Sequence, residues 1–115
     1  MNDTRSEYPF ELISRRLKAL ADPSRLEILH TLCGGEHNVS EIVERTGLTQ
    51  ANVSKHLRVL REEGLVTFRK HQRKVFYRLA GKITEDVCDL VCRSLEQRAD
   101  TDREILERYR SNRHE

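Results

Sequence analysis

Apolar residues recur at helical spacing in five stretches of this chain, and two short runs are instead crowded with β-branched and aromatic residues. Phe10, Ile13, Leu17 and Leu20 mark a first helix that begins near Tyr8–Pro9, where proline's missing N–H costs nothing. Asp22-Pro23 stops and restarts the chain: Asp22 can cap, and Pro23 can open, a second helix. That helix carries Leu26, Ile28, Leu29 and Leu32 and ends at Gly34-Gly35. Ser40 is expected to cap a short third helix over SEIVERT, closed by Gly47. Thr49 is expected to cap a fourth, with Val53, Leu57 and Leu60 turned inward and Gly64 at its end. Val39 and Leu48, each just before an expected cap, fit the hydrophobic-staple position. The runs 65–69 and 74–79 read as a hairpin. Residues 70–73 join them without an Asn-Gly or Gly-Gly pair, which leaves the turn type open. Thr84 is expected to cap a long last helix, with Val87, Cys88, Val91, Cys92 and Leu95 on one face. Beyond Arg98 the apolar positions thin to Ile105, Leu106 and Tyr109, and the tail SNRHE is expected to fray.

This pattern describes a mainly α fold with a small β-hairpin: five helices and a two-stranded wing in one domain over residues 1–115. With 37% hydrophobic and 35% charged residues, a chain of 115 has a thin core, and such chains often complete it by dimerising. No apolar run approaches the roughly 18 residues that span a bilayer. The first ten residues, MNDTRSEYPF, lack the basic-then-apolar pattern of a signal peptide. A cytoplasmic location and no membrane partner are the expectations. Cys33, Cys88 and Cys92 do not make a disulfide scaffold and are thiols in a reducing compartment.

Charge sharpens the reading. Residues 50–78 hold eight Lys/Arg (Lys55, Arg58, Arg61, Arg69, Lys70, Arg73, Lys74 and Arg78) against Glu62 and Glu63. The segments on either side each carry two more acids than bases, so the chain's net +2 conceals one basic segment. A concentrated positive surface is what phosphate contacts require. Two short helices joined by Gly-Leu-Thr, the second polar outside, match a helix-turn-helix, whose second helix meets base edges with its first residues. Here those are Thr49, Gln50, Asn52, Ser54, Lys55 and His56. Gln and Asn can pair two-pronged with adenine, and Lys can donate to guanine. Arg58, one turn on, suits a phosphate. The wing offers Arg69, Lys70, Arg73 and Lys74 to phosphates or the minor groove. For any one of these residues the plain alternative is a solvated side chain on an ordinary helix or hairpin.

The segments LKALADPSRLEILHTL and VSEIVERTGLTQANVSKHLRVLREEGLV, then a hairpin ending in VFYRLA, resemble the ArsR/SmtB family of bacterial transcriptional repressors over about residues 10–80. The resemblance implies a winged-helix homodimer joined by its first and last helices, within residues 1–21 and 83–110, with residues 40–79 as the DNA-binding part. It also implies an operator that is an imperfect palindrome of double-stranded DNA, and release by an inducer. Carried over, the recognition helix is 49–61 and the wing 65–79. The family's inducer sites differ among its types, and this chain departs from several. Where one metalloid type has Cys-x-Cys, residues 39–43 read VSEIV. The last helix, 83–98, has no His for the zinc type, and the recognition helix has no Cys for the cadmium/lead type. A sulfane-sulfur or redox type pairs a Cys of the second helix with one of the last. Here His30 and Glu96 take those two positions, Cys33 lies about one turn later and Cys92 about one turn earlier. If the two helices run antiparallel, these opposite shifts keep the thiols opposed.

Cys88 and Cys92 lie four apart on one helix face, so both sulfurs could share a soft ion, with Cys33 as a third ligand. As(III) or a soft divalent metal is then the candidate inducer acting on Cys33, Cys88 and Cys92. Two thiols could instead form a disulfide or polysulfide bridge, or all three could simply pack as small apolar groups. His30, near Cys33, is a ligand or an interior side chain; His56 and His71 are DNA-facing; His37 and His114 join no Cys/His ligand spacing. A protein-interaction module is the rival of another class, but it has no need of the basic segment. A small thiol enzyme would need a base partner or cofactor loop that is not evident, so the expectation is a non-enzyme.

Overall fold

The computed structural model describes residues 9–96 and 100–113. Tyr8, His114 and the segment 97–99 lie outside the described residues. Helix α1 (Phe10–Leu20) follows Pro9, whose carbonyl accepts from the N–H of Ile13 at 3.0 Å. Helix α2 (Pro23–Cys33) starts as its sequence asks: Asp22 accepts from the N–H of Arg25 at 2.9 Å, and Pro23 opens the first turn. Strand β1 (His37–Asn38) runs straight into α3 (Val39–Thr46). Asn38, not Ser40, caps α3. Asn38 accepts from the Glu41 N–H at 2.9 Å and the Glu41 carboxylate accepts from the Asn38 N–H at 3.0 Å, a reciprocal capping box. Val39 is therefore the first helical residue, not a staple before the cap. Gly47 ends α3 at φ +78°, a conformation only glycine takes cheaply.

Helix α4 (Gln50–Glu62) begins at Thr49, which accepts from the Asn52 N–H at 3.1 Å. Strands β2 (Val66–His71) and β3 (Lys74–Leu79) pair antiparallel, with His71 opposite Lys74. The turn is thus the two residues Gln72-Arg73, and Gln72 takes φ +58°. A positive φ at the first central position alone is the sign pattern of a II′ turn, so the hairpin closes without the usual glycine. The sheet is not two-stranded: β1 adds to β3, giving the order β1-β3-β2.

The expected single last helix is two, making six helices among the described residues. Helix α5 (Ile83–Glu96) and helix α6 (Asp100–Arg113) meet where Arg110 donates to Glu96. Fourteen residues of continuous helix would hold that pair about 21 Å apart, so the chain must reverse between them. Residues 111–113 are helical rather than frayed. Thr84 does not cap α5. It is the second helical residue, 2% exposed, and its buried hydroxyl has no hydrogen-bond partner among the described residues. The carbonyl of Lys82 accepts from the N–H of Asp86 at 2.9 Å.

One core joins Ile28, Leu29 and Leu32 of α2, Ile42 of α3, Val53, Leu57 and Leu60 of α4, and Leu65 and Val66 at the start of the wing. It fixes α3 and α4 against each other and β2 beneath α4. Of α1's expected inward residues, only Leu20 is buried; Phe10, Ile13 and Leu17 are exposed.

Candidate nucleic-acid interface and thiol-bearing helices

Because Val53, Leu57 and Leu60 are sunk in the core, the other faces of α4 must look outward. Thr49, Gln50, Asn52, Ser54, Lys55 and Arg58 are all exposed. The Thr49 hydroxyl is engaged as a cap, so its first task is holding the helix start. His56 departs from the expected outward set: it is half-buried, with Nδ1 3.4 Å from the Arg25 guanidinium.

The wing sorts its basic residues by the pleat. Strand register sets Arg69 beside Phe76 and His71 beside Lys74 on one face, while Lys70 and Val75 share the other. Arg69 lies over the Phe76 ring at 5.4 Å and donates to both oxygens of Glu36, at 2.7 and 2.9 Å. This bidentate guanidinium holds the Glu36 carboxyl below the usual carboxylate range. Lys70, Arg73 and Lys74 are exposed and in no ion pair among the described residues. On the opposite face of the wing, Arg61 of α4 lies over the Phe68 ring at 4.9 Å, and Phe68 meets Tyr77 at 5.9 Å. Recognition helix and wing are therefore joined directly. Exposed cations stand on both: Lys55 and Arg58 on α4, and Lys70, Arg73 and Lys74 on the wing.

The thiols fare differently. Cys33 and Cys88 are half-buried, and Cys92 is 7% exposed but outside the main core. Burial pushes the Cys92 thiol above its ordinary pKa; Arg110 opposes this, while Cys88, Asp89 and Glu96 add to it. Among the described residues no group of three or more His, Cys, Asp and Glu is arranged to hold a metal ion. Helix α6 packs here: Tyr109 stacks on His30 at 4.4 Å and Arg110 pairs with Glu96. The buried Nε2 of His30 has no hydrogen-bond partner among the described residues. No described helix is long and apolar enough to cross a membrane.

Sequence reasoning missed Arg25, Glu36 and the α6 contacts. The Arg25–His56 and Arg69–Glu36 pairs lie 31 and 33 residues apart, beyond any local spacing rule.

Residues 22–67 match the family described as bacterial regulatory protein, arsR family. A biofilm growth-associated repressor of Xylella fastidiosa is 38% identical over 85 residues, covering 68% of this chain and 75% of that protein. Against the same repressor from a second strain, the chain spans 59% of its length. The transcriptional activator HlyU of Vibrio cholerae is 40% identical over 77 residues, 67% of this chain and 71% of that protein. Among solved structures, the homodimeric winged helix-turn-helix DNA-binding domain of a possible ArsR-family regulator from Mycobacterium bovis superposes with a TM-score of 0.72 at 31% identity. It covers 84% of this chain and 89% of that one.

Proposed function

Since the chain belongs to the arsR family of bacterial regulatory proteins, we propose that it is a homodimeric, sequence-specific repressor whose α4 reads an imperfectly palindromic operator and whose release is triggered at cysteine thiols. The observation that carries the DNA reading is the exposed polar face of α4 beside Lys70, Arg73 and Lys74, cations that no acid of the described chain neutralises. Gln50, Asn52 and Lys55 meet base edges, and Arg58 with the wing cations holds phosphates. The domain reads as one unit over 1–115, with residues 40–79 on DNA.

Dimerisation is supported by apolar side chains that the single chain leaves in water. Phe10 (68% exposed), Leu12 and Leu17 on α1, and Leu90 and Val91 on α5, lie on the two outer helices. A second copy bringing the same helices would bury them. Two symmetric α4 helices then enter successive major grooves, which is why the operator would be palindromic. The repressors among the relatives support negative control; HlyU, named an activator, supports the same DNA-binding act with the opposite readout.

For the inducer, As(III) or a soft metal would draw on Cys88 and Cys92, one turn apart on α5, with further ligands from the partner subunit. The second reading is a disulfide or polysulfide formed between two of the three free thiols. Either ligand must bind better to a dimer geometry that spoils DNA contact, and DNA weakens the ligand by the same factor.

The experiment is fluorescence anisotropy of the reduced protein on its own upstream DNA, titrated in turn with arsenite and with a polysulfide. Salt-sensitive binding released by arsenite supports the metalloid reading, and release by polysulfide alone supports the second. Release that persists in the Cys88→Ser, Cys92→Ser double variant reduces both thiols to packing. No DNA binding overturns the proposal and revives the protein-interaction module.

A further inference from the structure

Arg25 sits in the first turn of α2, half-buried, and all three of its guanidinium nitrogens are engaged. Nε donates to the carbonyl of Ala19 at 2.7 Å and Nη2 to that of Lys18 at 3.2 Å. These are last-turn carbonyls of α1, the end of a helix where unsatisfied acceptors and the negative dipole end favour a cation. Nη1 lies 3.4 Å from Nδ1 of His56 on α4. That contact explains why His56 is half-buried while its neighbours Lys55 and Arg58 are exposed.

Two further arginines extend the same seam. Arg15 of α1 pairs at 3.0 Å with Glu63, the residue that caps the end of α4. The Arg16 guanidinium lies beside Gly64, where an added Cβ would meet Nη2 at 3.3 Å. The middle of α1 thus meets the C-terminal end of α4 through the side chains of Arg15 and Arg16. The same α1 carries the exposed Phe10, Leu12 and Leu17.

We infer that Arg25 is a positioning residue for DNA recognition: it ties the recognition helix, through His56, to the end of α1 without touching DNA itself. The inference rests on the reading above that α4 meets base edges. Base pairing by side chains demands a fixed helix, whereas phosphate attraction tolerates small shifts. Loosening α4 at His56 therefore costs sequence-specific binding more than general binding. It leaves the salt dependence alone, because counterion release counts charges at phosphates.

The test uses the full chain, with Arg25→Met, which keeps the aliphatic stem, and Arg25→Lys, which keeps the charge. Anisotropy is measured on the upstream duplex and on a scrambled duplex of equal length, over a range of salt, at a temperature where circular dichroism shows each variant folded. The expected result is a loss of about tenfold on the upstream duplex for both variants, with the scrambled duplex nearly unaffected. The slope of log affinity against log salt stays that of the parent. In a His56→Phe background, Arg25→Met should cost little more, since the two act as one contact.

A salt slope reduced by about 0.9 in Arg25→Met but restored in Arg25→Lys would make Arg25 a phosphate contact and overturn the inference. Equal losses on both duplexes, or losses that add in the His56→Phe background, would overturn it too. Parent protein that binds neither duplex overturns the reading of α4 itself. Parent protein that binds while both variants bind equally well overturns only the role of Arg25.

Discussion

Helix α4 and the α5–α6 pair are both rich in polar and charged residues, and the fold treats them in opposite ways. On α4, Gln50, Asn52, Ser54, Lys55 and Arg58 stand in water with no side-chain partner among the described residues. On α5–α6, Arg110 is matched to Glu96, Tyr109 lies flat on His30, and Cys92 is covered. Exposed charge costs a protein little in water, so leaving it unpaired keeps it available for a polyanion. Matched charge spends that availability on holding two helices together. The first region keeps its polar face for a partner under the proposed reading; the second uses part of its polar set within the chain, and it leaves Leu90, Val91 and Ile105 exposed among its charges.

The widest gap should appear in stability. Leu57→Ala, under α4, removes a side chain 1% exposed and should cost about 2–5 kcal/mol in urea unfolding. Leu90→Ala on α5, 59% exposed, should shift unfolding of the monomer by no more than about 0.5 kcal/mol while weakening self-association in sedimentation. Similar costs for the two would erase the distinction. The next effect is on DNA. Lys55→Ala and Arg73→Ala should each lower affinity for the upstream duplex and flatten its salt slope by about 0.9. An unchanged slope in either case would remove that cation from the interface.

Smaller is the effect on thiol chemistry. Because burial raises the Cys92 pKa, its reaction with an aromatic disulfide should be slow at neutral pH. It should climb only as pH passes above the ordinary thiol value, read in a Cys33→Ser, Cys88→Ser variant. A rate already at its plateau near neutrality would place Cys92 in an open, electropositive setting instead. The least effect belongs to Glu36. The Arg69 guanidinium holds its folded pKa below the ordinary glutamate value, so its stabilising contribution is present above that value and is lost as pH falls through the folded one. Glu36→Gln should thus melt earlier than the parent at neutral pH and converge with it in acid. A difference that persists undiminished in acid would separate Glu36 from the Arg69 pair.

Much of α4 was legible because its signals are local. A cap three residues before its partner N–H, an apolar residue each turn and a glycine at the end all lie within one window of sequence. The start of α3 was equally local and was misassigned, although Asn38-x-x-Glu41 has the capping-box spacing and Ser40-x-x-Val43 does not. The reversal between α5 and α6 had no glycine or proline to announce it. Strand β1 is two residues long, too short for alternation to register. What sequence could not supply were the side-chain pairs that assign roles. Arg69 looked like any wing cation until Glu36 was found against it, and His56 like any reading residue until Arg25 was.

Strand β1 is small, yet it alters how the whole reading head can travel. By pairing with β3 and passing without a break into α3, it stitches the wing to the first helix of the helix-turn-helix. Arg61 on Phe68 makes a second stitch from α4. The wing therefore cannot lag behind when the helices turn. If α4 and the wing both rest on DNA as proposed, a rotation of the subunit would lift the two together, and release would be abrupt rather than contact by contact.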